Sequence, residues 1–188
     1  MSIQTETRNE VGLLEARVAA LEKRLAKRPD GDAINLVVFS GERDRLMAAF
    51  SIANSAAAVG MTVNMFFTFW ATAALRNGKP QSSGKTILER LFGWMLPNGI
   101  RSTRLSNLEM AGLGRRLLLR KMGAHGMADV DEQLLMAADL GVQIQVCDMS
   151  MQLMGVRFEE LIDYPGLKLC GGASLAELMS QSNTTLFI

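Results

Sequence analysis

Histidine occurs once in the 188 residues, at His125, and cysteine twice, at Cys147 and Cys170. So small a set of soft and imidazole ligands does not supply a tetrahedral zinc site within one subunit, and no metal is assigned. Two thiols without a signal peptide argue against a disulfide framework and for a reducing compartment, which makes the cytoplasm the expected location. Aromatic residues are 6% of the chain, and residues 98–126, where arginine is concentrated, contain none. Nucleic-acid binding through base stacking is therefore set aside. Ser40-Gly-Glu-Arg-Asp44 lacks both the lysine-glycine pattern of a P-loop and the three glycines of a dinucleotide turn, so no cofactor is expected. Residues 46–75 carry no formal charge, but Ser51, Asn54, Ser55, Gly60, Thr62 and Asn64 interrupt them. That stretch predicts a buried helix followed by a buried strand, and no membrane span.

What the chain has is 48% hydrophobic residues and a formal charge of +1 that hides an uneven distribution. Residues 34–126 hold twelve Lys/Arg and four Asp/Glu, whereas residues 127–188 hold two and nine. Such segregation fits faces of opposite sign that meet across a subunit interface or on a charged partner, with scattered surface charge as the simpler reading. At the N-terminus Val11, Leu14, Val18, Leu21 and Leu25 repeat at alternating three- and four-residue spacing. This is a short coiled-coil-like stripe, which pairs with copies of itself or packs back on its own domain. Arg28-Pro-Asp-Gly-Asp32 breaks it. The expected organisation is a heptad helix and linker over 1–32, then an α/β domain over 33–188 with a helical insertion at about 77–126.

Short apolar runs at 34–39, 62–69, 142–146, 167–169 and 185–188 alternate with helical segments. The pattern predicts a three-layer α/β/α domain with a five-stranded, mainly parallel sheet. Helices are expected at 45–58, about 86–96, about 107–122, 129–140, from about 150, and 174–181. Ligands bind such sheets beyond the carboxyl ends of the strands. There the chain delivers Ser40 and Gly41, Trp70 and Thr72, Cys147 and Asp148, and Cys170 and Gly171.

Cys147 is the strong nucleophile of this set. It follows Gly141-Val-Gln-Ile-Gln-Val146 and opens Cys-Asp-Met-Ser-Met-Gln-Leu-Met154, a strand-to-helix junction where the partial positive charge of a helix start favours a thiolate. The amides of Met149, Ser150 and Met151 are placed to face the sulfur, and Met149, Met151 and Met154 to wall it. The bland alternative for either cysteine is a small buried hydrophobe, and for Cys170 it is the preferred one. His125, in a glycine-rich break, reads as a helix C-cap or surface residue. Arg101, Arg104, Arg115, Arg116, Arg120 and Lys121 read as a solvated face or a dock for an acidic protein.

These residues together resemble the DsrE/DsrF/DsrH-like superfamily, in particular its longer branch that has been labelled peroxiredoxin-like. The resemblance covers about Ala33 to Ile188 and rests on the opening strand with Ser40-Gly41, the insertion with Leu96-Pro97 and Leu105 to Met122, Cys147-Asp-Met-Ser-Met151 with Met154-Gly155, and Gly171-Gly-Ala173 through Leu186-Phe-Ile188. It implies a small oligomeric sulfur carrier or sulfurtransferase, a trimer or tetramer, holding sulfane sulfur as a persulfide on Cys147. It also implies exchange with a TusA-like or other sulfur-carrier protein, with Cys170, Asp148, Ser150, Ser40 and Gly41 as accessory candidates. Shorter members lack the 77–126 insertion, and no Thr-x-x-Cys peroxidatic motif supports the peroxiredoxin label. Two other readings stay open. One is a non-enzymatic assembly or regulatory module, the other a thiol-disulfide or peroxidase-like protein using Cys147 with Cys170.

Overall fold

The structure, a computed structural model, describes residues 12, 14–22 and 30–188. Helix α1 is described over residues 14–22, and the stripe residues Leu14, Val18 and Leu21 are exposed. Val11 and Leu25 of the stripe, and Arg28 and Pro29 of the expected break, lie outside the described residues.

Five strands follow: β1 (Asp30–Val38), β2 (Thr62–Phe67), β3 (Gln143–Cys147), β4 (Lys168–Cys170) and β5 (Ser182–Phe187). They form one parallel sheet in the order β4-β3-β2-β1-β5. β1 starts at Asp30, which pairs with Ser182 of the edge strand β5, so the acidic end of the segment read as a break belongs to the sheet. Helices α2 (Arg43–Ala58), α3 (Ile87–Met95), α4 (Leu113–Ala124), α5 (Val130–Asp139), α6 (Asp148–Met154) and α7 (Gly172–Gln181) connect them, with a 3-10 turn at Phe69–Leu75.

Strand periodicity divides the core between the two faces. Leu36, Val38, Met65, Phe67, Ile144 and Val146 are fully buried in one cluster with residues of α2, α5 and α6. Ala49 and Ala53 bring α2 close to the sheet, and Phe50 meets Phe67 at a ring-centroid distance of 6.1 Å. The alternate residues Val37, Phe66 and Cys147 face the other way, where Cys170 and Leu175 of α7 pack on them. Along that face the buried amide of Asn35 donates to Ser182 Oγ (2.8 Å) and accepts from Asn64 Nδ2 (3.2 Å). The polar row is therefore paired within the sheet.

Asp129 caps α5 and closes a capping box with Glu132, at the start of the helix expected over 129–140. The helix expected from about 107 begins only at Leu113. Leu108, Met110 and Ala111 adopt positive φ, and two carboxylates hold the turn before them. Asp44 accepts from the Ser106 amide (2.8 Å) and hydroxyl (2.5 Å), while Glu109 accepts from the Leu105 amide (2.9 Å).

Part of the charge segregation is consumed inside the subunit. Arg43, buried at the start of α2, pairs with Asp129 and, at 3.8 Å, with Asp131, and it donates to the carbonyl of Ile100 at 3.2 Å. The insertion is fastened by Lys85, whose ammonium meets Glu160 at 2.7 Å, both side chains being nearly inaccessible. Glu160 also accepts from the Ser82 amide at 2.6 Å and from the Arg157 amide at 3.3 Å. Arg76, equally buried, donates to the carbonyls of Gly93 (3.0 Å) and Pro97 (3.4 Å). Basic residues of the first half thus meet acidic residues of the second across the fold.

Burial pushes the Glu160 carboxyl up, but the Lys85 ammonium and the two amides outweigh it and hold the group below its ordinary 4.5. A depressed folded-state pKa contributes stability that is present above 4.5 and lost as pH falls through the folded value. Glu160→Gln leaves Lys85 buried without its counter-charge and is expected to cost about 3 kcal/mol at pH 7. Urea unfolding at pH 7 and at acid pH checks both. The wild type loses this component on acidification, and the variant, having already lost it, shows a flatter dependence.

Candidate functional site

Cys147 is the last residue of β3 and the residue from which α6 springs. Because Ile144 and Val146 point toward α2 and α5, the two-residue period turns Gln143, Gln145 and Cys147 to the α7 face. The thiol is 4% exposed and packs with Val37 and Phe66. In register beside it on β4 stands Cys170, half-buried. Neighbouring strands lie about 4.8 Å apart, so the two cysteines flank each other at the carboxyl edge of the sheet. Both are free thiols.

The Cys170 Sγ donates to Gln145 Oε1 at 2.8 Å. Burial, then the neighbouring Cys147, then Asp148, all push the Cys170 thiol up from 9.0, so it stays protonated at neutral pH. Asp148 is exposed and lies over the start of the next crossover, where a Cβ on Gly171 would stand 3.7 Å from its Oδ1. Cys147, Asp148, Cys170 and Gln145 are thus brought together. Gln145 escaped the sequence reading, although its place two residues before Cys147 on a strand is the signal that puts it on the same face.

Two expectations about the surroundings of the sulfur are corrected. Helix α6 begins at Asp148, and the Cys147 side chain makes no capping hydrogen bond to it. The Met149 amide donates instead to Asp148 Oδ1 at 2.8 Å. Met151 and Met154 belong to the opposite core cluster and Met149 is exposed, so the three methionines do not wall the thiol. The cause is the same in each case. α6 lies over the Val146 face of the sheet, and Cys147 points to the other.

The remaining accessory candidates sit elsewhere. The buried Ser150 hydroxyl pairs with Thr68 Oγ1 at 2.9 Å and pins α6 to the end of β2. Ser40 and Gly41, beyond β1, line a cavity of about 360 Å³ with Trp70 and Trp94, two strands away from Cys147. The Ser40 hydroxyl donates to Glu42. His125 is the C-cap of α4.

Comparison with known proteins concerns the chain as a whole. The sequence profile of the DsrE/DsrF/DrsH-like family matches residues 31–187. The chain is 35% identical over 153 residues to the uncharacterized protein YrkE of Bacillus subtilis, covering 81% of this chain and 94% of that protein. It is 25% identical over 165 residues to the sulfur carrier protein DsrE2 of Allochromatium vinosum, with 81% and 96% covered. Among solved structures, the ychN protein of E. coli superposes with a TM-score of 0.47 at 12% identity, covering 83% of this chain and 99% of that one.

The paired thiols carry a test of their own. In a Cys147→Ser background, the pH profile of iodoacetamide labelling at Cys170 is expected to have its midpoint above 9.0, since burial persists when the neighbouring sulfur is gone. Asp148→Asn in that background removes a nearby negative charge, lowers the midpoint and raises labelling at pH 8 about twofold. A profile that ignores Asp148 would show that the carboxylate does not act on the thiol.

Proposed function

The chain belongs to the DsrE/DsrF/DrsH-like family, and from that premise we propose that it is a cytoplasmic sulfur carrier, holding sulfane sulfur as a persulfide on Cys147 and exchanging it with the thiol of a partner protein. The single observation that carries the reading is the pairing of a buried thiol, Cys147, with a protonated second thiol, Cys170, at the carboxyl edge of a parallel sheet. The distant likeness to a protein named as a sulfur carrier supports it.

In the loading step the Cys147 thiolate attacks the outer sulfur of a donor persulfide. A new sulfur–sulfur bond forms on Cys147, the donor's own sulfur–sulfur bond breaks, and the donor leaves as a thiolate that takes up a proton. Unloading repeats the exchange in reverse, with the acceptor's thiolate attacking the outer sulfur and Cys147 leaving. No net oxidation or reduction occurs. Val37, Phe66 and Leu175 surround the sulfur with apolar atoms that exclude bulk thiols.

Cys170 decides whether the sulfur is kept. As a thiolate it would attack the inner sulfur of the Cys147 persulfide, forming a disulfide and expelling hydrosulfide. Its raised pKa and its hydrogen bond to Gln145 oppose that attack at neutral pH. The thiol-disulfide reading is favoured by the register of the two cysteines and disfavoured by this protonation. In the proposed setting the protein acts as a homo-oligomer, trimer or tetramer, and the partner is a TusA-like or other sulfur-carrier protein.

After incubation with polysulfide, mass spectrometry is expected to show an adduct of about 32 Da, one sulfur atom, on the peptide containing Cys147. The adduct is removed by reductant and absent in Cys147→Ser. A normal adduct in that variant would sink the assignment, and a Cys147–Cys170 cross-link without an adduct in non-reducing peptide maps would favour the disulfide reading.

A further inference from the structure

The sulfur chemistry leaves unused the opposite end of the same sheet edge, beyond β1 and β2. A cavity of about 360 Å³ there is lined by Ser40, Gly41, Trp70, Trp94 and Arg104, among others, and it adjoins a second of about 760 Å³ lined by Arg101, Arg104 and Arg115. The two share Ser102 and Arg104, so an aromatic-lined recess and a cationic one adjoin at that border as the two ends of a cleft. It lies at the carboxyl ends of parallel strands, where open α/β sheets take ligands.

The backbone is shaped to open it. Gly41 passes so close to Trp70 that a Cβ would stand 2.7 Å from the Trp70 carbonyl oxygen. Phe69, with a φ of 45°, turns the chain sharply just before that tryptophan, and its ring meets that of Phe39 at a centroid distance of 5.0 Å, tilted by 41°. Trp94 comes from α3, and the buried Arg76 fixes that helix by its bonds to the Gly93 and Pro97 carbonyls.

Charge along the cleft is net positive by count, Arg101, Arg104 and Arg115 standing against Glu42 and Glu109. Glu42 accepts from Ser40 and is paired with Arg45 at 3.5 Å, and Glu109 is turned to the Leu105 amide, from which it accepts. Arg115 donates to the carbonyls of Arg101 and Thr103, and Arg101 meets Asp131 at 3.5 Å. Arg104 lines both cavities, and among the described residues its guanidinium pairs with no carboxylate.

We propose that this cleft binds a ring-bearing polyanion of the nucleoside-phosphate class, its ring against the Trp70 and Trp94 indoles and its phosphates toward Arg104, Arg101 and Arg115. Indole faces accept a flat ring with little regard to its identity. Guanidinium groups match phosphate oxygens in a forked, two-bond geometry. The aromatic and cationic ends are separate, so the ligand must supply both features on one extended molecule. The site stands independently of the persulfide reading and uses neither cysteine.

The chain's two tryptophans are Trp70 and Trp94, so intrinsic indole fluorescence of the full-length protein reports on this cleft. Titration with ADP at low ionic strength is expected to give saturable quenching, weakened at least tenfold in Arg104→Ala and partly restored in Arg104→Lys. Trp70→Phe and Trp94→Phe each retain part of the signal, and thermal melts confirm that the variants fold. Adenosine alone and pyrophosphate alone are each expected to bind at least tenfold more weakly than ADP. Absence of saturable quenching by AMP, ADP and ATP up to about 10 mM, weaker than any specific site, overturns the proposal. So does pyrophosphate binding as well as ADP, or ADP binding unchanged in Arg104→Ala. Emission that follows protein concentration and ignores nucleotide overturns it too, and assigns the face to contact between copies.

Discussion

The register of β3 between β2 and β4 is the constraint on which the candidate site rests. A strand's side chains alternate between faces, so slipping β3 by one residue would send Cys147 into the α2–α5 core and leave Val146 in its place. Several groups hold the register. Ile144 and Val146 are fully buried on one face, while Gln143 and Gln145 occupy the other, where a polar amide is tolerated. Tyr164, in the connection to β4, donates its hydroxyl to the Val142 carbonyl at 2.7 Å just before β3 begins. Burial pushes that phenol up to about 12, which keeps the donor intact across the neutral range. The Cys147–Cys170 pairing follows from these contacts and needs no bond between the sulfurs.

A second set of constraints is electrostatic and belongs to the insertion. Residues 77–126 supply few members of the main core, Ile100 being an exception. What fixes them is buried cations satisfied by carboxylates and carbonyls: Arg76 at α3, Lys85 on Glu160, and Arg43 reaching from α2 to Asp129 and Ile100. Such pairs need good geometry to offset their desolvation, and they confer a defined position more than net stability. They hold α3 with its apolar face outward, Ile87, Leu88, Leu91, Trp94 and Met95 all being exposed. The uneven charge of the two halves of the chain is thus in part an internal pairing.

The sheet was legible because buried parallel strands read as apolar runs bounded by glycine and capping residues, and Asp129 with Glu132 announced α5 in full. Position along the chain was enough to place Cys147 at a strand end. Direction was not. Whether the thiol faces α6 or α7 depends on which alternate residues of β3 meet the main core, and Gln-Ile-Gln-Val-Cys becomes decisive only once Ile144 and Val146 are known to face α2 and α5. The insertion was opaque for another reason. Its turns at Leu108–Ala111 carry non-glycine residues at positive φ, held by the distant Asp44 and the nearby Glu109, and no local pattern announces a bond across 62 positions.

Burial of Cys147 sets the terms on which any sulfur transfer takes place. A thiol that is 4% exposed cannot be reached by a partner's thiolate without an opening above it. On one side stand the packed helices of the main core, whose disruption would expose Phe50, Phe67 and Ile144. On the other stands α7, which has no fully buried residue of its own and meets the sheet chiefly through Leu175. Local opening costs least where least apolar surface is covered. The lowest-cost route to the sulfur therefore runs under the start of α7, past Cys170 and Gly171, where Asp148 stands at the surface and a Cβ on Gly172 would meet no atom within 4 Å. Under the proposed function, the same thin cover that would shield a persulfide from stray thiols is the one a docked partner would have to displace, which would tie carriage and release to a single element.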